Sequence, residues 1–468
     1  HLSKSNNKYK VFIWYRDQYK YQTEIEDLKE YNEVLKNREY IILNEAIKKE
    51  RGYIGCEIMD SEDPLFLLYT SGSTGKPKGV LHSTAGYLCY TMATHKYVFD
   101  IQPGDVYGCV ADIGWITGHS YLVYGPLSNG CTTLLFESIP TYPTPSRYWE
   151  MIEKYKITQF YTSPTAIRSL MKYDNKYVSK YDLSSLRVLG TVGEPINPET
   201  WLWYFNIIGN KKCPIVDTWW QTETGGILIS SFPMAPNILK PGSATLPMFG
   251  IEPCLLDKTT LQEIPNGNTE TVEGILMIKK PWPGLCRTLY GDHTRWTKTY
   301  INPNGDGYFI TGDGAKRDKD GYYFITGRID DVLNVSGHRI GTAEIESCVV
   351  ENKHIVECAV VGIPHEIKGQ SIFIYAIMKN EDSVNKNKLK TEITVNIKSK
   401  LGGIFKPEYI MLVGGVPKTR SGKIMRRILR KIACCEYENL GDITTLQDPQ
   451  VVKHLINQRR QIKLSSKL

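Results

Sequence analysis

Three groups of residues have types and spacings that could handle a phosphate-bearing ligand. The first is Thr70-Ser71-Gly72-Ser73-Thr74-Gly75-Lys76, continued by Pro77-Lys78-Gly79. Small residues let backbone N–H groups approach phosphate oxygens, while hydroxyls and two lysines add donors and charge. It is not a Walker A loop, because Pro77 follows Lys76 and Thr70 stands where the first glycine belongs. That argues against a P-loop kinase or ATPase; taken alone, the segment also reads as a flexible surface turn. The second group is Asp217-Thr218-Trp219-Trp220-Gln221-Thr222-Glu223, a flat aromatic pair beside hydroxyls and carboxylates. Two tryptophans alone would more simply be core packing. The third is Lys418 to Lys431, where seven of fourteen residues are basic and none is acidic. Ile424, Ile428 and Ile432 give this stretch a helix with an apolar seam and a basic face. In isolation it could equally be a solvated charge run or a nucleic-acid patch.

The elements that must position these groups follow from the hydrophobic pattern. Leu65 to Tyr69 reads as a short buried strand stopped by Thr70-Ser71-Gly72. Strand candidates at Arg187–Gly190 and Ile275–Ile278 alternate with helical stretches, the pattern of α/β layering. The character changes near Asp330. Beyond it come a helix candidate from Thr342 to Glu351, strands Cys358–Ile363 and Ile372–Met378, a Lys-rich helix and the basic loop and helix. We expect an α/β fold: a large N-terminal multi-layer α/β domain over residues 1–329, and a small mobile C-terminal α+β domain over 330–468.

Composition narrows the class. With 41% hydrophobic and 23% charged residues the chain is ordinary for a globular protein, and no apolar run approaches a membrane span. A net charge of +7 is modest for this length and fits an enzyme with polyanionic ligands. The basic residues gather at one helix without a nucleic-acid-binding signature, so no nucleic-acid partner is expected. Eleven cysteines show neither disulfide-framework nor zinc spacing, which favours a reducing compartment. The first residue is His1, so the chain reads as a fragment, which leaves open a targeting peptide lost with the missing start.

The loop from Thr70 to Gly79 resembles the phosphate-binding signature of the acyl-adenylate-forming superfamily. Further motifs follow in that superfamily's order: Gly193-Glu194-Pro195 with INPE after it, Asp217 to Gly226, Tyr308 to Arg328, Asn334 to Ser347, and Pro417 to Lys431. Gly114–Leu127 and Leu440–Pro449 also read like the acetyl-CoA synthetases, and the chain is identified as a member of that family.

The resemblance implies an acetate–CoA ligase, AMP-forming, that uses ATP, Mg²⁺ and coenzyme A and passes through an acetyl-adenylate. It implies that Lys423 is the adenylation lysine, with Thr117 beside it in the reaction. Nucleotide contacts fall to Thr70–Lys76, Gly193–Pro195, Asp217–Thr222, Asp313 at the ribose hydroxyls, Arg328 and Arg339. Glu223 would hold Mg²⁺; Val350, Asn352 and Ile355 fall at a second Mg²⁺ site, with Asn352 in place of the usual His. Trp115, Ile116, Thr117, Val192 and Trp220 would bound the acyl pocket, with Trp220 closing it behind a short chain. CoA contacts would come from Thr117, Thr141 (for a usual Asn), Ser163, Ser336, Gly337 and Lys398 (for a usual Arg). Asp330 would be the hinge about which the small domain rotates between half-reactions.

The family also implies an acetyltransferase and a sirtuin deacetylase acting on Lys423, and a cytoplasmic location that in a eukaryote extends to the nucleus. No membrane partner is implied. Family members carry a longer N-terminal portion that includes arginines meeting the CoA nucleotide, and no match to those arginines precedes Asp63. A propionyl-CoA or other short-chain synthetase, and a catalytically incomplete fragment, remain alternatives.

Overall fold

The computed structural model describes residues 11–13, 40–70, 77–233, 239–258, 260–265, 267, 270–301, 307–329, 332–336, 338–379, 385–418, 424–438, 440, 443 and 446–465, with side chains except at 11–13, 40, 42, 44, 332, 334, 338, 339 and 463–465. The chain divides into two units, 1–59 and 60–468. In the first, β1 (Val11–Ile13) and β2 (Tyr40–Ile42) pair in parallel, and a short helical turn, Leu43–Ala46, follows.

The second unit is organised around a parallel sheet in the order β6-β5-β7-β8-β9, from β5 (Val106–Cys109), β6 (Thr132–Thr133), β7 (Gln159–Thr162), β8 (Val188–Thr191) and β9 (Ile215–Asp217). β7, β8 and the edge strand β9 are buried along their whole length, as expected for a sheet covered on both faces. Alternate residues point to opposite faces. Tyr161, Val188 and Val216 enter one core, while Phe160, Leu189 and Ile215 enter another. The strand candidate at Arg187–Gly190 is therefore present as β8.

Two antiparallel sheets accompany it. β3 (Pro64–Thr70), β4 (Lys78–Ser83) and β12 (Thr288–Leu289) form one, in the order β12-β4-β3; α1 (Thr84–Val98) follows β4. The expected strand before the phosphate loop exists, but it is not buried: Leu67 is 38% and Tyr69 60% exposed. Its position at the edge of a three-stranded sheet explains this, since only β4 flanks it. β10 (Pro253–Leu256), β11 (Val272–Ile278), β13 (Phe309–Arg317) and β14 (Tyr323–Arg328) form the second sheet.

The C-terminal region carries its own five-stranded sheet: β15 (Val332–Val335), β16 (His338–Gly341), β17 (Ile355–His365), β18 (Gly369–Met378) and β19 (Tyr409–Val413). Along β18 the faces alternate, with Phe373 and Tyr375 in one core and Ile372 and Ile374 in the other. The helix Thr342–Val350 and the Lys-rich helix Lys386–Leu401 match the sequence expectation. The basic helix begins only at Arg426 and runs to Ala433; Ile424 pairs with Lys418 in a β-bridge before it. All three isoleucines of the seam are nonetheless buried.

Candidate functional site

The carboxyl ends of β7, β8 and β9 deliver three of the sequence motifs to one edge of the parallel sheet. Ser163 follows β7, Val192–Pro195 follow β8, and Thr218–Thr222 follow β9. In open parallel sheets this edge is where ligands bind. Gly193 has φ +97°, a left-handed conformation that a glycine adopts without strain. The turns are tied together: Thr191 Oγ1 donates to Asp217 Oδ1 at 2.8 Å, and Thr218 Oγ1 donates to the Thr191 carbonyl at 2.8 Å. Asp217 is buried, and burial pushes its carboxyl up to about 7 although the Thr191 hydroxyl opposes the rise.

Asp313 lies opposite, on β13, in register with Arg328 on β14. Trp219 Nε1 and Gln221 Nε2 both donate to Asp313 Oδ2, at 3.1 and 2.6 Å, so the β9 motif and the β13 carboxylate form one cluster. The Arg328 guanidinium is 3.8 Å from Oδ1 and donates to the Thr311 carbonyl at 3.0 Å. Gly312 makes room for it: a Cβ there would sit 2.7 Å from the Arg328 guanidinium. Burial raises the Asp313 carboxyl pKa, with Arg328, Trp219 and Gln221 pulling against it. Buried carboxylates of this kind need donors, and Oδ1 accepts no hydrogen bond among the described residues.

Glu223 is 9% exposed, with its backbone pinned where Cys286 N–H donates to its carbonyl at 2.9 Å. Its Oε1 accepts the Tyr300 hydroxyl and lies 3.6 Å from Lys78 Nζ. Lys78 opens β4, paired with Thr70, so it stands at the base of the candidate phosphate loop. Ser71, Gly72, Ser73, Thr74, Gly75 and Lys76 themselves lie outside the described residues, as do Asp330, Gly337, Lys423 and the Arg339 side chain.

Of the acyl-pocket candidates, Val192 and Trp220 share one hydrophobic cluster. Trp220 meets Tyr121 edge-on at 4.9 Å and donates to the Tyr161 hydroxyl at 3.2 Å. Trp115 precedes a helical turn, Ile116–Gly118, that leads into the segment holding Tyr121. Ile116 is buried and Thr117 half-buried on that turn. Ser163 caps the helix Pro164–Met171 by accepting from Ala166 N–H at 3.2 Å. Ser336 is exposed with φ +53°, Lys398 is exposed on its helix, and Thr141 is half-buried in a loop. No hydrogen bond or ion pair among the described residues joins these last three to the Asp313 cluster.

Val350, Asn352 and Ile355 fall on one turn, where Asn352 Oδ1 accepts His354 N–H at 3.0 Å and its amide donates to Glu392 at 3.2 Å. The Asn352 amide oxygen keeps a second lone pair. Among the described residues no group of three or more His, Cys, Asp or Glu could hold a metal ion. Glu223 fits Mg²⁺ better, because that ion is commonly held by one or two carboxylates together with substrate phosphates. Its Oε2 has no donor among the described residues.

Several contributors were not singled out from sequence: Thr191, Thr311, Tyr300, and a charged patch between the parallel-sheet region and the C-terminal sheet. The helix Pro164–Met171 lies against β17. On the parallel-sheet side Arg168 donates to Glu194 at 2.6 Å; on the C-terminal side Arg426 donates to both oxygens of Glu346 at 2.7 Å and Lys418 pairs with Glu357 at 2.7 Å. Burial alone would raise the Glu194 carboxyl; Arg168, Thr165 and the more distant Arg426 and Lys418 hold it below its ordinary value. Each of these ion pairs lies within one side of the boundary, and across it Arg168 faces the charges of Glu357 and Glu346.

Residues 10–289 match the AMP-binding enzyme family, and 344–423 match the AMP-binding enzyme C-terminal domain. The acetyl-coenzyme A synthetase of Syntrophobacter fumaroxidans is 56% identical over 423 residues, covering 90% of this chain and 64% of that protein. That of Saccharophagus degradans is 58% identical over 419 residues, with the same coverages. Acetyl-coenzyme A synthetase 2 of Pseudomonas aeruginosa is 55% identical, covering 89% of this chain and 63% of its own. The chain thus spans somewhat less than two thirds of the length of these relatives. The crystal structure of the anthranilate CoA ligase AuaEII in complex with anthranoyl-AMP superposes with a TM-score of 0.75 at 24% identity, covering 90% of this chain and 77% of the other, a likeness of fold.

Proposed function

The chain belongs to the AMP-binding enzyme family, and from that membership we propose that it works as an acetate–CoA ligase of the AMP-forming type. Acetate and ATP yield acetyl-AMP and pyrophosphate; CoA then displaces AMP to give acetyl-CoA. The observation that carries the adenylate reading is the buried Asp313 carboxylate, held by Trp219, Gln221 and Arg328 at the carboxyl edge of the parallel sheet. An ionised two-oxygen acceptor suits a ribose diol, and the flat Trp219-Trp220 segment suits a base. The acetate reading is supported by identities of 55–58% to acetyl-coenzyme A synthetases.

In this proposal the first half-reaction is an attack by an acetate oxygen on the α-phosphorus of ATP, with pyrophosphate leaving. Negative charge gathers on phosphate and carboxylate oxygens, and fixed cations answer it without reorganisation. Lys423 takes that role, supported by Arg328, Arg339 and the loop Ser71–Gly79; Thr117 stands beside the acyl group. Glu223 would hold Mg²⁺, which when bound offsets charge on the polyphosphate. In the second half-reaction the CoA thiolate attacks the acyl carbonyl, with Ser163, Ser336, Gly337, Thr141 and Lys398 as its contacts. A rotation of the small domain, 330–468, about Asp330 would exchange the two arrangements. The charges that face each other across the boundary, Arg168 and Glu194 on one side and Glu346 and Arg426 on the other, support a releasable docking.

Trp220 and Val192 would limit the acyl chain, and one methylene discriminates by only about 1–3 kcal/mol. Propionate is therefore the nearest competing substrate. Acetylation of Lys423 by an acetyltransferase, reversed by a sirtuin, would remove the charge the transition state needs. A cytoplasmic location agrees with eleven cysteines of which none forms a disulfide. The test is acetate-dependent ATP–pyrophosphate exchange, run beside propionate and butyrate, with wild type and Lys423→Ala. Exchange that prefers acetate and vanishes in the variant is expected. A preference for propionate would move the assignment to that acid, and exchange that survives Lys423→Ala would remove the lysine's role.

A further inference from the structure

Tyr300 lies 77 residues from Glu223 in sequence, on the helix His293–Tyr300, yet its hydroxyl donates to Glu223 Oε1 and receives a hydrogen bond from Lys78 Nζ. The three make a chain from ammonium through phenol to carboxylate, linking the base of the phosphate loop to the segment after β9. Each member is shielded: Tyr300 is 5% exposed, and the Lys78 and Glu223 side chains are 15% and 11% exposed. The phenol cannot easily turn away, because its ring stacks on Phe309 with planes 3° apart and lies 4.8 Å from Trp296. Lys78 Nζ also stands 4.9 Å from the centre of that ring.

We infer that Tyr300 is a positioning residue for the polyphosphate end of the site, fixing the Glu223 carboxylate so that Oε2 serves a divalent cation on a nucleoside triphosphate. Oε1 is committed to the phenol and to the Lys78 charge, which leaves Oε2 without a donor among the described residues. Glu223 is thus held as a one-oxygen ligand, and Lys78 stays beside the incoming phosphates. The inference rests on the nucleotide reading above, but it concerns only the triphosphate–metal end; among the described residues no hydrogen bond joins Asp313, Trp219 or Gln221 at the nucleoside end to Tyr300.

That separation provides the test. Tyr300→Phe keeps the ring stack and removes only the hydroxyl. Binding to the full chain is measured with two probes: AMP without metal by calorimetry, and Mn²⁺–ATP by electron paramagnetic resonance of the ion. Charge-assisted hydrogen bonds are the stronger class, so a loss of about tenfold in Mn²⁺–ATP affinity is expected, with AMP affinity unchanged. Glu223→Gln is expected to weaken Mn²⁺–ATP as well, and the double variant to lose less than the product of the two, because coupled groups are not additive. Unchanged Mn²⁺–ATP affinity in Tyr300→Phe overturns the inference. So does an equal loss for both probes, which would mark a merely structural hydroxyl. If wild type binds neither probe, the nucleotide reading itself fails, and this inference with it.

Discussion

Replacing Asp217 by Asn should make the protein more stable at pH 8 than wild type, and no more stable at pH 4. Asp217 is 6% exposed, accepts one hydroxyl hydrogen bond from Thr191, and has no ion-pair partner among the described residues. Burial therefore penalises its charged form, moving the carboxyl from 3.8 to about 7. The sign follows from that direction. A carboxyl whose folded value lies above its unfolded value gives stability that is full below about pH 4 and lost as pH rises to about 7. A displacement from 3.8 to about 7 corresponds to about 4 kcal/mol between the two protonation states. Asn keeps an acceptor for Thr191 and has no charge to bury, so its stability does not fall through that window. At about 2 °C per kcal/mol for a large domain, the variant should melt about 8 °C above wild type at pH 8, with the gap closing by pH 4. The assay is thermal unfolding of both proteins at pH 4 to 8 at fixed ionic strength. A constant gap across that range would refute the reasoning, since it would mean that Asp217 is ionised throughout or hydrated in the folded state.

Two further outcomes are expected. Arg168→Leu leaves the Glu194 carboxylate without its guanidinium; with those side chains 15% and 31% exposed, the cost should be about 2 kcal/mol, below the range for fully buried pairs. Because Glu194 is held below its ordinary value, that loss should be complete at neutral pH and shrink as pH falls below about 4. Urea unfolding of Arg168→Leu, Glu194→Leu and the double variant checks it, with strict additivity as the contrary result. Trp220→Gly should shift acid preference in pyrophosphate exchange toward longer chains, and unchanged acetate selectivity would exclude Trp220 as the pocket wall.

The parts of this structure that were legible in the sequence are those whose pattern is local. β8, β17, β18 and the helix Thr342–Val350 were visible because burial imposes a run or a period on consecutive residues. The motif order was legible through resemblance, and it pointed to Asp313, Trp219 and Gln221, which the fold brings into one hydrogen-bonded cluster. What was not legible depends on distant pairings. The exposure of β3 follows from its edge position, which composition does not reveal. Tyr300 reaches Glu223 only because its helix folds back beside the β9 motif, and a tyrosine in the segment TKTY looks like any other. The ion pairs of Arg168, Glu346 and Glu357 likewise join or face elements far apart in the chain, so charge pattern along the sequence gave no sign of them.

The central claim is that the Asp313 cluster holds the ribose of an adenylate, and AMP binding by calorimetry tests it most directly with wild type and Asp313→Ala. Hydrogen bonds to a charged group contribute about 1.5–3 kcal/mol each. Wild type should bind AMP, and the variant should bind it at least about tenfold more weakly while remaining folded. Equal affinity in the two proteins would contradict the account and place the nucleotide elsewhere.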